Sequence, residues 1–412
     1  MERYESYKDS GVYYLPLLPS KWEIKKAKFL FREEKRLPRI NDEIITCFRD
    51  GQVTLRKNRR TEGFTNSLKE IGYKGIRKGD LVIHNMDAFA GAIGVSDSDG
   101  KGTPVYSVCT TLSDNISPYY YCYFLRYLAK CDFIKSLSKG IRERSTDFRY
   151  NDFKELTLPV PSIYEQNKIV EYIDSVTSKI DEAISQQQKM IDLLNERKQI
   201  IIQNAVTKGL DPNAKMKDSG VEWIGEIPED WEISLIGHLF NIKAGGDAKP
   251  KLYSMTKDEI HKYPVYTNCN DSNSVYAYTS IPYFGANTIT VTGRGDIGNA
   301  FFRKTPYDAI IRLLSLKPRI GLDCRFFTFF IDKVIPFTSD SAAVAQLSAV
   351  QLKNIVCCVP SKREQSDIAD SLDDITSKID SSISQCNKMI ALLQERKQII
   401  INDVVTGKIK VV

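Results

Sequence analysis

Residues 178–202 read SKIDEAISQQQKMIDLLNERKQIII, and residues 377–401 read SKIDSSISQCNKMIALLQERKQIII. The two stretches are identical at 19 of 25 positions and lie 199 residues apart. The match extends over residues 160–209 and 359–408, with 29 identities in 50 positions. Self-similarity at a fixed distance marks a repeated structural unit, so the sequence predicts that one helical element is used twice.

Apolar and small side chains recur along both stretches with the spacing of a coiled-coil seam. In the first stretch the seam runs from Ile173 to Ile201, and in the second it runs from Leu372 to Ile400. We expect two helices of roughly 35 residues, each about 50 Å long at 1.5 Å per residue. Because helices of that length exceed what one small domain can cover, we expect them to pack on each other as an antiparallel pair.

A second, shorter repeat precedes each variable region of the chain. KDSGVYYLPLLPSKWEI begins at Lys8, and KDSGVEWIGEIPEDWEI begins at Lys217. The variable regions that follow, residues 25–158 and 234–357, have almost no identity with each other. We therefore predict four segments in chain order: residues 1–158, the short repeat with a first variable domain; 159–209, a central helix; 210–357, the second short repeat with a second variable domain; and 358–412, a C-terminal helix.

The two variable regions nevertheless share a coarse order of elements. In the first, GDLVIHN, GAIGVSD and PVYSVCTT are typical of strands, and an aromatic-rich helix is expected from Ser117. In the second, TITVTGRGDIGNAFFR and AIIRLLSL are typical of strands, and DCRFFTFFIDKVI predicts a helix. GAIG and GDIG fall at the same place in this order. The predicted fold class is α+β: two α/β domains related by a pseudo-twofold axis and separated by two long antiparallel coiled-coil helices.

Composition excludes several classes of function. The 412 residues carry a net charge of +6, with 42% apolar and 27% charged residues, as in soluble globular proteins. The N-terminus lacks the apolar region of a signal peptide, and no apolar run approaches a membrane span. Nine cysteines without a C-x-x-C pair indicate reduced thiols in a cytoplasmic protein, and three scattered histidines argue against a metal site.

Catalytic signatures are likewise missing from the sequence. It contains no N/D-P-P-Y/F tetrapeptide of an adenine methyltransferase and no phosphate-binding G-x-x-x-x-G-K-[ST] loop. No Ser/His/Asp or Cys/His set is indicated. We therefore predict no catalytic residues and no metal ligands in this chain.

Polar residues that a coiled-coil seam does not require are identical in both helices. Core packing does not explain their retention, whereas a partner that contacts the chain twice does. A spacer or dimerisation zipper is the simpler alternative interpretation of the helices. The predicted partner-binding residues are Lys179, Asp181, Lys189, Glu196, Arg197 and Lys198 in the first helix and Lys378, Asp380, Lys388, Glu395, Arg396 and Lys397 in the second.

The doubled motif set resembles that of a known family. LPVPSIYEQNKIVEYIDSVTSKID, LLNERKQIIIQNAVTKG, their second copies and DSGVEWIGEIPEDWEI are similar to the specificity subunits of type I restriction–modification enzymes. The resemblance covers the whole chain, including the order of its parts. One departure is that the first helix ends in AVTKGL and the second in VVTGKI, with lysine and glycine exchanged.

The resemblance implies that each variable region is a target recognition domain for one half of a split site in double-stranded DNA. It implies that the helices separate the two domains and dock two modification subunits, which carry S-adenosylmethionine and methylate adenine. Restriction subunits, up to two, would add ATP- and Mg-dependent cleavage. The chain itself would bind no cofactor and would be a non-catalytic, cytoplasmic subunit.

DNA binding requires cations for phosphates and polar groups for base edges. The segment RKNRR places four cations within five residues, and TGRGDIG sets an arginine between glycines, where a backbone can approach DNA closely. Solvated surface, helix salt bridges and a plain glycine turn are the simpler interpretations of these residues. The predicted DNA-binding residues are Arg56, Lys57, Arg59, Arg60, Lys139, Arg142 and Arg144 in the first region and Lys249, Lys251, Arg294, Arg303 and Lys304 in the second.

Two other functions remain open from the sequence. One is a non-catalytic coiled-coil scaffold with two modules that bind protein or sugar, and salt-dependent binding to duplex DNA would separate it from a DNA reader. The other is the DNA-reading subunit of a bifunctional restriction–methylation enzyme that cuts on both sides of its site. For a specificity subunit, we expect an asymmetric split target in which exchanging one variable region changes only one half.

Overall fold

A computed structural model describes residues 2–59, 71–137, 147–271, 273–319, 321–337 and 346–411. The chain forms two compact units. The first contains Met1–Gln186 and Lys388–Val412, and the second contains Gln187–Asn387. The sequence-based division followed the repeats, whereas these units follow packing, so each long helix contributes one part to each unit.

The first unit consists of short strands, one larger helix and parts of both long helices. The bounds of its elements before the first long helix are, in chain order: β1 Tyr7–Val12, β2 Leu15–Pro19, β3 Glu23–Lys26, β4 Phe31–Glu33, β5 Ile45–Cys47, β6 Val53–Leu55, β7 Lys74–Ile76, β8 Leu81–His84, β9 Ile93–Val95, β10 Gly100–Gly102, β11 Tyr106–Thr111, α1 Pro118–Lys130, α2 Phe133–Ser136, α3 Tyr150–Phe153 and β12 Thr157–Val160.

The first long helix, α4, spans Ile163–Lys208. The elements that follow it are, in chain order: β13 Met216–Asp218, β14 Glu226–Pro228, β15 Glu232–Leu235, α5 Ile236–Leu239, β16 Phe240–Ala244, β17 Tyr253–Ser254, β18 Tyr263–Tyr266, β19 Ala277–Thr279, β20 Thr288–Val291, β21 Ala300–Arg303, β22 Asp308–Ala309, β23 Leu314–Pro318, α6 Cys324–Lys333, α7 Ala349–Lys353, β24 Val356–Val359 and the second long helix, α8 Lys362–Val405.

The central sheets of the two units have the same strand order. In the first unit the antiparallel order is β4-β11-β8-β9, and in the second it is β16-β23-β20-β21. The aromatic helix predicted for each region packs against this sheet, α1 on β9 and α6 on β21. Its rings form the core, including the fully buried Tyr121 and Phe124 in the first unit and Phe327 and Phe330 in the second. The prediction of two α/β domains with one framework is confirmed.

The second unit differs by an additional four-stranded sheet of order β17-β19-β18-β22. Part of the segment predicted as one strand, AIIRLLSL, belongs to this sheet through Ala309. The prediction of one continuous strand is wrong, because Ile311 and Arg312 have φ angles of 54° and 59° and turn the chain before β23 begins at Leu314. Left-handed backbone of this kind cannot continue a strand.

GAIG and GDIG lie in the same connection of the sheet but are out of register. Gly91 lies two residues before β9 and has a φ of 92°, and Gly298 lies two residues before β21 and has a φ of 91°. The last glycine of GDIG therefore corresponds to the first glycine of GAIG. Gly94 lies within β9, where its role is close packing rather than turning.

Both long helices exceed the predicted 35 residues, with 46 residues in α4 and 44 in α8. At 1.5 Å per residue they are about 69 Å and 66 Å long. They begin immediately after the repeated Pro-Ser, because the serine caps the helix. The hydroxyl of Ser162 accepts a hydrogen bond from the Glu165 backbone N–H, and the Glu165 carboxylate accepts one from the Ser162 N–H. This capping box moves the start of the helix ahead of the apolar seam.

The repeated Glu-Gln dipeptide connects each long helix to its own unit. In the first unit, Trp22 donates its indole N–H to Glu165 at 3.2 Å. The fully buried amide of Gln166 accepts from the Ser117 N–H and donates to the Pro161 carbonyl. In the second unit the equivalent amide of Gln365 accepts from the backbone N–H of the residue that caps α6 and donates to the carbonyl that precedes its own helix. A buried amide must be hydrogen-bonded, and this requirement fixes the dipeptide in both copies.

Within each unit, part of α4 packs against part of α8. In the first unit Ile173 and Ile180 share a core with Ile400 and Val404, and in the second the C-terminal part of α4 shares a core with Leu372. The order of these contacts is that of an antiparallel helix pair, as predicted. Among the described residues, no helix is both long and apolar enough to cross a membrane.

Candidate nucleic-acid interface and helix surfaces

The RKNRR segment follows the β5–β6 hairpin of the first unit and forms a single 3-10 turn, Arg56–Asn58. Arg56 donates from Nε to the Thr46 hydroxyl at 3.2 Å. Lys57 pairs with Glu43 at 2.5 Å and has a mostly exposed side chain. Surface pairs of this kind contribute little to stability, about 0–1 kcal/mol, so Lys57 is available to exchange its carboxylate partner for a phosphate.

Arg59 is held by two contacts within the hairpin. Its Nη1 donates to Oδ2 of Asp50 at 2.7 Å, and its guanidinium carbon lies 4.2 Å from the centre of the Phe48 ring. Asp50 is itself fixed, because its Oδ1 accepts the backbone N–H of Gln52 at 3.1 Å. The guanidinium therefore has one defined position at the edge of the hairpin.

The hairpin turn Arg49–Gly51 packs directly on the two glycines of GAIG. A Cβ at Gly91 would lie 2.8 Å from the Arg49 carbonyl oxygen, and a Cβ at Gly94 would lie 2.0 Å from that of Gly51. No side chain fits in either gap. The GAIG motif is therefore explained by this backbone contact, which sets the height of the turn above the sheet.

Four predicted DNA-binding residues lie outside the described residues. They are Arg60, Lys139, Arg142 and Arg144. Their DNA-binding role stays a prediction from the sequence.

In the second unit, the predicted cation Lys249 and the unpredicted Lys243 lie near the exposed ring of Tyr283. Lys249 Nζ lies 5.7 Å from the centre of the Tyr283 ring, and Lys243 Nζ lies 6.0 Å from it. Arg294 is exposed and forms an isolated backbone bridge with Gln346. Lys251 and Lys304 are also exposed. Lys249 and Lys243 therefore present positive charge beside an aromatic face, as nucleic-acid interfaces commonly do.

Arg303 has a different environment from the other predicted cations. It is 7% exposed, its Nε donates to the Thr290 hydroxyl at 2.9 Å, and its guanidinium carbon lies 3.6 Å from the centre of the Tyr266 ring. Burial lowers the pKa of the Arg303 guanidinium from its ordinary value. This placement argues against the predicted phosphate contact and makes Arg303 a core residue of the second unit.

A polar cleft of about 760 Å³ lies in the first unit beside Asn85 and Arg149. Asn85 is 9% exposed, and its side-chain oxygen accepts the Ser107 hydroxyl at 2.8 Å. A half-buried Lys74–Glu33 pair lines the same cleft. The cleft thus carries an amide and a guanidinium, the groups that pair with adenine and guanine edges.

The described residues contain no group of three or more His, Cys, Asp or Glu side chains placed to hold a metal ion. Several thiols are buried, and burial raises the pKa of Cys122 to about 11 and that of Cys358 to about 12. Such thiols are protonated at neutral pH and unreactive.

Four of the twelve predicted partner-binding residues pair with each other between the helices. Lys397 contacts Asp181 at 2.6 Å in the first unit, and Lys198 contacts Asp380 at 2.7 Å in the second. These equivalent ion pairs account for the identity of the four residues without a partner protein. The remaining eight lie on exposed positions of the helices; they are Lys179, Lys189, Glu196, Arg197, Lys378, Lys388, Glu395 and Arg396.

The sequence analysis missed a second apolar stripe beside the coiled-coil seam. Met190, Leu193 and Ile200 of α4 are 50%, 60% and 50% exposed. The equivalent residues of α8, in the same order, are 48%, 59% and 50% exposed; they are Met389, Leu392 and Ile399. Their spacing of three and seven residues was readable in the sequence, but only the structure shows that the seam leaves them uncovered.

Comparisons with known proteins agree with these features. A family model described as the type I restriction modification DNA specificity domain matches residues 55–191 and 228–390. The chain is 26% identical over 425 residues to a Methanocaldococcus jannaschii protein provisionally named as the specificity subunit of type I restriction enzyme MjaX, covering 96% of this chain and 95% of that protein. It is 33% identical over 132 residues to a provisionally named type I specificity subunit of Mycoplasma pneumoniae, covering 32% of this chain and 39% of that one.

Two solved structures show the same fold at low sequence identity. One chain comes from a study of complex assembly and conformational transition in the type I R-M system. It has a TM-score of 0.73 and 16% identity, with 95% of this chain and 99% of that chain covered. The other is the HsdS subunit from Thermoanaerobacter tengcongensis, with a TM-score of 0.55, 16% identity and coverage of 95% and 98%.

Proposed function

The chain belongs to the type I restriction–modification DNA specificity family, whose model matches well over half of its length, and we propose that each of its units reads one half of a split DNA site. The common sheet order supports two equivalent readers. Their different loops and the extra sheet of the second unit support different half-sites. The target is therefore asymmetric, with two short sequences around a fixed spacer.

The duplicated apolar stripe is the observation that carries the docking half of this proposal. Each helix exposes one methionine, one leucine and one isoleucine at equivalent positions, to nearly the same extent. Half-exposed apolar groups in a row mark a surface that a partner covers. Because the stripe occurs twice, we assign one modification subunit to each copy, with Arg197 and Arg396 as central charges.

The chain itself performs no chemistry in this proposal. S-adenosylmethionine belongs to the modification subunits, and ATP and Mg belong to restriction subunits where these are present. The complex acts in the cytoplasm, where its chromosomal DNA substrate lies.

A methylome tests the reading function directly. The chain is expressed with the modification subunit encoded beside it, in a host that lacks adenine methylation, and modified bases are mapped across the genome. We expect one split motif with a fixed spacer. A soluble, associated pair of proteins that produces no such motif would overturn the proposal and favour a scaffold without DNA specificity.

A further inference from the structure

The Arg49–Gly51 turn and the arginines around it form a rigid, positively charged site at the surface of the first unit. Arg49 donates from Nη2 to Oδ1 of Asp87 at 2.8 Å, and Arg59 donates from Nη1 to Asp50 at 2.7 Å. Both arginines thus have a carboxylate that fixes the direction of the guanidinium. Both pairs are partly exposed, so they contribute little to stability and mainly orient the two guanidinium groups.

A guanidinium with a fixed orientation suits the edge of a guanine better than it suits a phosphate. A phosphate accepts hydrogen bonds from many directions, and a flexible lysine binds it as a point charge. A guanine presents O6 and N7 at fixed positions in the major groove, and only a correctly oriented fork of two N–H groups satisfies both. Orientation by a carboxylate removes rotamer freedom before binding, so less entropy is lost when the fork meets the base.

Arg59 has the fixed orientation that a contact with guanine requires. Its ring contact with Phe48 and its bond to Asp50 fix the plane of the guanidinium, while 36% of the side chain stays exposed. One of its five N–H groups is used by Asp50. Within the described ranges, the others have no protein acceptor. Two adjacent N–H groups therefore remain for a bidentate contact.

The backbone of the Arg49–Gly51 turn is also held in place by close packing. Gly91 and Gly94 allow the backbone of the turn to rest on β9. From the other side, Arg126 of α1 covers the turn, since a Cβ at Gly51 would lie 2.6 Å from its Nη1. The Nε of Arg126 is buried without a hydrogen-bond partner in the described part of the chain. No carboxylate among the described residues pairs with this third guanidinium, and its positive charge favours approach of a nucleic acid.

We propose that the Arg49–Gly51 turn is a sequence-reading element of the first unit, and that Arg59 reads a guanine in the major groove of its half-site. Arg49 lies in the turn itself, is 68% exposed and is oriented by Asp87. We assign it as a second arginine that contacts a base. Lys57, which is paired with an exposed glutamate, contacts phosphate. This assignment rests on the proposed DNA-reading function and adds which residue reads which kind of base.

The test uses the complete complex of this chain with its modification subunits. Methylomes are recorded for the unaltered chain and for Arg59→Ala, Arg59→Lys and Asp50→Asn. We expect Arg59→Ala and Arg59→Lys to relax one G·C position in one half-site, with discrimination at that position reduced roughly 5- to 150-fold. Asp50→Asn should relax the same position to a smaller degree. The other half-site and the spacer should stay unchanged.

The matched control is Arg39→Ala. Arg39 is a 66% exposed arginine of the same unit that pairs with Asp99 at 3.0 Å rather than with a residue of the turn. Its removal should leave the motif as it is. Equal relaxation in Arg39→Ala would show that loss of any surface charge broadens recognition, and would overturn the assignment.

The other outcomes also decide the question. If Arg59→Ala weakens methylation at every site equally and lowers the salt dependence of duplex binding by about one phosphate contact, Arg59 binds phosphate and the proposal is wrong. An unaltered motif or a change in both half-sites would also overturn it. If the unaltered complex yields no split motif at all, it is the proposed function that fails, before any variant is compared.

Discussion

Arg303 and Lys304 are adjacent in sequence but occupy opposite environments in the second unit. Arg303 is buried against the Tyr266 ring, whereas Lys304 is exposed just after the end of β21. Two adjacent cations in a sequence do not reveal these roles, because Arg303 is the last residue of β21 and Lys304 already lies beyond the strand. The two residues therefore allow a direct comparison of a buried cation with a surface cation.

We expect Arg303→Ala to destabilise the second unit by about 2 kcal/mol or more, because it removes a desolvated cation–π contact and leaves a cavity. Lys304→Ala should leave stability within about 0.5 kcal/mol and reduce the slope of log binding constant against log salt by about 0.9 if Lys304 contacts one phosphate. Thermal unfolding and duplex binding at several salt concentrations measure both. A stable Arg303→Ala protein with a reduced salt slope would restore the phosphate contact predicted from sequence.

At the level of elements, the end of α8 belongs to the core of the first unit. Ile400, Val404 and Val405 pack in the same cluster as the aromatic residues of α1. The Tyr120 hydroxyl donates to the Val405 carbonyl at 2.9 Å, although 285 residues separate them in sequence. The equivalent end of α4, with Val206, packs in the core of the second unit. Each long helix therefore ends in the unit that does not contain its beginning.

This arrangement predicts that damage to one helix end unfolds one unit selectively. Val405→Asp places an uncompensated charge among buried rings and should destabilise the first unit by more than about 3 kcal/mol. Hydrogen exchange should show loss of protection in β8, β9 and β11, with β20 and β21 still protected. Val206→Asp is the matched variant and should produce the opposite pattern. Loss of protection in both units by either variant would contradict this assignment.

The ion pairs between the helices contribute less to stability than the packing of the helix ends. Asp181–Lys397 and Lys198–Asp380 each join a largely exposed aspartate to a lysine that is about one-quarter to one-third exposed. Pairs of this type contribute about 0.2–1 kcal/mol. Their placement at equivalent positions instead favours one alignment of the two helices, because a shifted register would separate both pairs.

For the whole molecule, the proposed docking on the duplicated surface stripe implies two modification subunits per chain. A docked modification subunit would bury Leu193 on α4 and another would bury Leu392 on α8. The remaining exposed charges around each stripe, such as Lys189 and Lys388, are identical in both copies. Under this proposal, two identical partners would meet two similar surfaces on a chain whose variable domains differ.

We expect Leu193→Asp and Leu392→Asp each to remove one modification subunit, and the double variant to remove both, because a charge in a covered apolar contact is costly. Native mass spectrometry of the assembled complex counts the subunits. Tyr164→Asp is the control, since Tyr164 is 61% exposed on α4 but has no equivalent in the second copy, where Arg363 stands. If the double variant retains two modification subunits, the docking surface lies elsewhere on the chain and this assignment is wrong.

The sequence by itself determined the duplication, the two long helices with their seam, and the α/β class of the variable regions. These features follow from periodic patterns, which repeat over many residues and are read without knowledge of distant contacts. The family resemblance was also carried by these repeated segments. The apolar period predicted helices of roughly 35 residues, shorter than the 46 and 44 observed, because the capping serine and glutamate precede the apolar pattern.

Only the tertiary structure decided which side chains lie in a core, pair across the helices or face solvent. It buried Arg303, paired Asp181 and Asp380 with lysines of the other helix, and left Leu193 and Leu392 uncovered. It also seated the Arg49–Gly51 turn on Gly94, a contact between residues more than forty positions apart. These outcomes depend on which surfaces meet across long sequence separations, and a local pattern holds no information about that choice.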